Sequence, residues 1–445
     1  MNGGSMTTLS RITMAAVAAL IVGGMGPAKA ADLGGNCCAD LEERVAELEA
    51  TTARKGNRKV SLTISGQISQ ELMYWDDGIQ DDLYVVGPAQ SNSRWRITGS
   101  AKISPEITAG FIYEFEAFSS GSTSVNQSNG AGPGNGHGAP NNVGDDGGST
   151  AANLREAMAW VEHSRLGRVS LGQGSSAANN VILVDLSGKG MGASNDVRLM
   201  NSGFRIRGSD GSVSASNWAN FFQGGQDWLN ERNEHIQYRT PTIAGFTLGA
   251  SFGEDNYWDV ALRYAGEFNG VRIAGAIGYS VRSEYNGPAG AFGCTINCDK
   301  DVEQLAGSLS IRHMPTGLFF TGAAGHRDNN DFQLVAGGPT RSFDSDFYYL
   351  SGGIARNFFG IGDTVLFGEY SEWSGMGKEY VAVGGNTTVE HWGVGIVQHV
   401  DAAAMEFWLT YKNYSLDGAI DVCGGTGAPS CEDLHYVLAG TRIRF

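Results

Sequence analysis

Basic side chains, proline and long apolar runs are all scarce in this chain of 445 residues. Lys and Arg number 31 against 47 Asp and Glu, a formal charge of -16. That balance excludes the basic stripe that a nucleic-acid partner requires. Beyond residue 30 no run of eighteen apolar residues occurs, so no membrane-spanning helix is expected. There are ten Pro, and a Pro inside a strand removes a ladder hydrogen bond. Neither a phosphate-cradling G-x-x-x-x-G-K-[ST] nor a zinc-binding H-E-x-x-H is present, and the eight His are scattered singly. An enzyme is not expected, and no cofactor or metal is implied.

What is abundant is Gly, 65 residues, about twice the usual share. With the many aromatics it describes numerous strands joined by long polar loops. The opening TMAAVAALIVGG, between Arg11 and the small-residue site Ala28-Lys29-Ala30, reads as a secretory signal peptide over 1–30. Its removal would take the charge from -16 to -18. Six Cys fall into three close pairs. In an oxidising compartment Cys294 with Cys298, and Cys423 with Cys431, are disulfide candidates, since no His lies among them to complete a metal site. Cys37 and Cys38 read as a free or interchain thiol pair. Over 31–57, Leu41, Val45, Leu48 and Thr52 recur at helical spacing. The segment is either a short periplasmic coiled coil or one amphipathic helix lying on the main body.

From Val60 the period changes to two. In VSLTISGQISQELMYW, Val60, Leu62, Ile64, Ile68, Leu72 and Tyr74 alternate with polar residues. This run exceeds the about five or six residues of an ordinary strand and suits a tilted strand crossing a bilayer. Sixteen such segments follow one another to Phe445, with short turns such as SPE, PTIAG and MPTG alternating with long Gly, Asn and Asp rich loops. All ten Pro fall in the signal, a turn or a loop. The pattern predicts an all-β fold, a sixteen-stranded antiparallel transmembrane barrel over 58–445. The long connection 177–232 contains GFRIRGSDGSVSASNWANFF, the pattern of one further hairpin, which would raise the count to eighteen.

Two stretches, NCCADLEERVAELEATTARKGNRKVSLTISGQ and GEDNYWDVALRYAGEFNG, resemble the general porins of alphaproteobacteria of the rhizobial and brucella type. The resemblance implies a homotrimer of sixteen-stranded barrels in the outer membrane, each narrowed by a third loop, here 177–232, folded into the lumen. It implies no role for the long second loop, 119–150. It also implies that the terminal aromatic, Phe445, is read by the barrel-assembly machinery.

If the apolar residues face lipid and lipopolysaccharide, their neighbours face water in the lumen. That rule points Arg94, Arg96, Arg155 and Arg239 inward, where Asp185 and Asp196 of the third loop are expected to oppose them. The function so predicted is passive diffusion of small hydrophilic solutes and ions, with a mild cation preference from the acidic net charge. The rivals are a solute-specific channel on the same barrel, and an adhesive or structural barrel whose loops are the working parts.

Overall fold

The computed structural model describes residues 59–117, 121–123, 125–128, 153–197, 203–223, 228–229, 232–254, 256–283, 301–332, 341–375, 387–418, 423 and 430–445. The proposed signal peptide, the helical segment 31–57 with Cys37 and Cys38, most of the 119–150 loop, and Cys294 and Cys298 lie outside them.

The chain rises in β1 (Ser61–Asp76), descends in β2 (Asp81–Val86) and, after an inward bend, in β3 (Arg94–Lys102). It continues through β4 (Ile107–Glu116), β5 (Asn153–His163) and β6 (Gly167–Ser175). A long third loop then carries a small hairpin, β7 (Arg205–Arg207) with β8 (Val213–Asn217), and one helical turn, α1 (Ala219–Gln223). The wall resumes with β9 (Arg232–Arg239), β10 (Phe246–Gly253), β11 (Trp258–Phe268), β12 (Val271–Arg282) and β13 (Asp301–His313). It ends with β14 (Leu318–Phe332), β15 (Arg341–Arg356), β16 (Thr364–Ser374), β17 (Thr388–Val400), β18 (Met405–Asp417) and β19 (Leu434–Arg444).

Each wall strand pairs antiparallel with the next, and β19 closes on β1 from Gln67↔Arg444 to Asp76↔His435. The result is a closed sixteen-stranded barrel, in which β2 and β3 share one strand position: β2 pairs with the upper half of β1 and β3 with the lower half. The closing β19–β1 pair removes the two end edges of the sheet, as a sheet that crosses a bilayer needs. Phe445 completes it, exchanging backbone hydrogen bonds with Gly66 at 2.9 and 3.0 Å. Its ring lies where a Cβ on residue 66 would stand, so Gly is required there.

One end of the barrel has short turns. The tightest, at Asn269 and Gly270, places both residues at positive φ, 50° and 78°, as a two-residue hairpin between right-twisted strands needs. The outer face is apolar, with Ile64, Leu171 and Phe252 all more than half exposed. In water such a belt would aggregate; in hydrocarbon it is solvated. The extra hairpin predicted from GFRIRGSDGSVSASN does form, but β7 and β8 pair only with each other and stay out of the wall. The wall count is therefore sixteen.

The narrowed lumen

A loop inside a barrel has no strand beside it, so its backbone groups need side-chain partners. The first part of the third loop finds them on the inner wall. Ser251 and Asp259 accept the N–H groups of Ala177 and Ala178 at 2.7 and 2.9 Å. Ser308 accepts from Val184 at 3.1 Å and donates to the carbonyl of Val181 at 2.6 Å, while Ser310 accepts from Leu186 at 2.9 Å. Farther round, His399 Nε2 lies 2.8 Å from the carbonyl of Gly188. The loop thus follows the wall from β10 to β17. Gly278 makes room for it, since a Cβ there would meet Ala178 at 3.0 Å and Val181 at 3.2 Å.

The second part of the loop packs higher in the barrel. Phe204 sits edge-on to Trp75 and Tyr436, at 5.2 and 5.3 Å between ring centroids. Phe222 meets Trp373, and Trp228 meets Phe347. Arg207, buried on β7, pairs with Asp77 at 2.8 Å and donates to Gln80 at 2.6 Å. The hairpin also joins the last loop, where Ser209 N–H donates to Ser430 O at 3.0 Å and Glu432 N–H to Arg207 O at 2.8 Å. Cys423 and Cys431 form a disulfide beside this junction. Aromatic packing and these bonds fasten the loop to the β1 and β15–β19 side.

The wall of β3–β5 carries charge instead. Glu114, buried at 1 % exposure, accepts from three guanidiniums: Arg94 at 3.3 Å, Arg96 at 2.7 Å and Arg155 at 2.9 Å. Arg155 also pairs with Glu116. Opposite Glu114 the ladder slips, with Glu114↔Glu156 followed by Phe115↔Leu154, so Arg155 is an extra residue in β5. This bulge puts Arg155 and Glu156 side by side on the lumen face, with Glu156 accepting from Ser175 at 2.8 Å.

The inward bend between β2 and β3 supplies a second intrusion. Ser91 receives hydrogen bonds from Arg94 at 2.7 Å and Arg442 at 2.9 Å, and Gln90 donates to the carbonyl of Met191 in the third loop.

Arg94, Arg96 and Arg155 therefore come together on Glu114, the first two from alternate positions of β3 and Arg155 from the bulge in β5. Arg239 does not join them; it borders a separate cavity of about 560 Å³ that opens beside Arg168 and Arg263. The loop acids are engaged differently from the expectation. Asp185 turns to the wall, bound by Lys189 and Thr321 at 3.0 Å each and by Ser187 at 2.7 Å. Burial would raise its carboxyl, but the Lys189 ammonium and these hydroxyls outweigh burial and hold it below the usual 3.8. Asp196 is buried within the loop, its N–H held by Ser194 Oγ at 3.1 Å. The acids that hold the arginines are Glu114 and Glu116, which the sequence reading passed over although they alternate inward in FIYEFE.

One catalytic pattern does occur, GASFG at 249–253, a match to G-x-S-x-G. Its Ser251 lies within strand β10 and holds the loop at Ala177, whereas a nucleophile needs a sharp strand-to-helix turn.

A closed antiparallel barrel with an apolar exterior and a charged lumen narrowed by its own loop is an outer-membrane diffusion channel. The chain belongs to the Gram-negative porin family, whose model matches residues 15–419. It is a passive channel of the bacterial outer membrane, not an enzyme. Among solved structures it is similar to the anion-selective porin from Comamonas acidovorans, with 16% identity and a TM-score of 0.53 over 87% of this chain and 100% of that one. It is similar also to OmpT of Vibrio cholerae, at 11% identity and 0.52 over 88% and 99%. OmpF of Salmonella typhi matches at 12% identity and 0.51 over 87% and 98%. No curated protein is similar in sequence.

Proposed function

We propose that this porin is a general channel for small hydrophilic solutes and ions, with a weak preference for anions at its narrows. The observation that carries the preference is the shared carboxylate of Glu114, set among Arg94, Arg96 and Arg155, with Glu116 as their second acid partner among the described residues and Glu156 engaged by Ser175. The acidic net charge predicted the opposite sign, but net charge acts at the mouths and over the surface, while selectivity follows the charges at the constriction. Arg94, Arg96 and Arg155 are the basic side of this eyelet. Asp185 and Asp196 act as structural acids of the opposing loop. The reversal potential across a bilayer under a KCl gradient tests the reading. An anionic sign supports it, and a cationic sign rejects it.

The working unit is a homotrimer of the alphaproteobacterial type. The two stretches named above support the subtype, and a similar structure, OmpT of Vibrio cholerae, is described in a trimer form. Residues 1–30 are a signal peptide, 31–57 form a helical segment at the periplasmic side, and Phe445 is the assembly signal. Lipopolysaccharide bounds the upper part of the apolar belt. N-terminal sequencing of membrane-extracted protein and its mass in mild detergent test these assignments. A start other than Ala31 rejects the cleavage site, and a monomer mass rejects the trimer.

A further inference from the structure

The cavity of about 560 Å³ lies on the β4–β6 and β9–β11 side of the lumen, bordered by Arg168, Arg239 and Arg263. Its volume is that of a small-molecule site, within the usual range of about 300–1,000 Å³. Two of its three cations are already engaged. Arg263 donates to the carbonyls of Ala177 and Asn179 and so anchors the third loop. Arg168 lies 4.1 Å over the Trp160 ring and pairs with Glu162. Trp160 in turn lies flat against Gly110, where a Cβ would collide with the indole, so this stack is fixed in place.

Arg239 is the exception. It is cross-strand neighbour to Arg168 and exposed, and its guanidinium makes no hydrogen bond or ion pair among the described residues, with Glu162, the partner of Arg168, as its nearby acid. An unpaired guanidinium beside a second cation attracts an anion, and a carboxylate fits its fork with two parallel hydrogen bonds. Ile112 and Met158 also line the cavity, Ser100, Ser170 and Thr247 supply hydroxyls, and the one acid in the lining, Glu156, accepts from Ser175 at 2.8 Å. One cationic fork and a short apolar strip lining the same cavity define the solute.

We propose that this cavity is a binding site for compact organic monoanions, short aliphatic carboxylates, with the carboxylate on Arg239 and the carbon chain against Ile112 and Met158. The site rests on the reading of the protein as an anion-favouring channel and deepens it. A solute held here would concentrate beside the narrows and cross at low external levels, at the cost of saturation at high levels.

Single-channel recording in potassium butyrate and in KCl tests the site. Conductance is expected to level off with rising butyrate while rising steadily with KCl. Arg239→Gln should weaken the half-saturation by about tenfold, the value of one charge-assisted contact. Met158→Gln should weaken butyrate by about fourfold, the equivalent of one methylene, and leave formate unchanged. Butyrate conductance that never saturates in the wild type overturns the site while leaving the channel reading intact. Saturation that survives in Arg239→Gln also overturns it. If KCl itself gives no conducting steps, the channel reading falls and the site with it.

Discussion

The Gln90 side-chain amide donates to the backbone carbonyl of Met191, so the bend after β2 and the third loop are tied together inside the lumen. Met191 belongs to an apolar group with Phe319, Val365, Phe367, Val397 and Trp408 of the wall strands β14 and β16–β18. The bond therefore clamps the tip of the third loop between that wall and the bend after β2. Gln90→Ala removes it without altering a charge. The expected result is unchanged ion selectivity with greater open-channel current noise, as the loop tip samples more positions. A mutant as quiet as the wild type would show that the apolar anchor alone fixes the loop.

The shared carboxylate of Glu114 predicts opposite effects from its two sides. Glu114→Gln keeps the shape but removes the charge that three arginines hold, so the reversal potential should move towards anions. Arg94→Ala with Arg96→Ala should move it towards cations. Both shifts should shrink as salt is raised and the Debye length falls from about 10 Å at 0.1 M to about 3 Å at 1 M. Reversal potentials insensitive to all three changes would place the narrows elsewhere in the lumen.

These two relationships differ in how far sequence alone reveals them. Alternation set the inner face of β3 and β4 correctly, because lipid outside and water inside impose a strict period of two. The same alternation shows Glu114 and Glu116 beside the arginines. The bulge at Arg155 is another matter. One extra residue breaks the period, and only the ladder opposite, Glu114↔Glu156 and then Phe115↔Leu154, reveals it. Gln90 lies in a bend of Gly, Pro and Ser residues that reads as an ordinary loop, and its inward course depends on partners far off in the chain, Arg442 and Met191. The hydroxyls of Ser251, Ser308 and Ser310 look like routine lumen residues until a loop lies on them. Asp185 turns to the wall partly for a local reason, since DLSGK brings Lys189 four residues on to pair with it.

Asp185 also gives a pH prediction. Its carboxyl is held below the ordinary 3.8. A depressed acid contributes stability that is fully present above the ordinary value and is lost only as pH falls through the lowered one. Conductance and loop order should hold from neutrality to about pH 4 and change below that, when Asp185 is protonated and releases Lys189 and Thr321. Asp185→Asn should show the acid-side conductance already at neutral pH. A transition centred near neutrality would assign the change to another group.

The disulfide between Cys423 and Cys431 bears on the outer mouth, because the chain around it holds the β7–β8 hairpin through Ser430 and Glu432. Closing so short a loop contributes about 2–3 kcal/mol by restricting the unfolded chain. The barrel itself is closed by sixteen strands and does not depend on it. Cys423→Ser with Cys431→Ser should therefore leave the barrel heat-resistant in detergent. The hairpin should open to protease or to hydrogen exchange around Arg205–Asn217, where Asp77 and Gln80 are then the partners outside the hairpin that hold the Arg207 side chain. Equal protection with and without the disulfide would show that the buried Arg207–Asp77 pair and the Phe204 packing are sufficient to hold the hairpin.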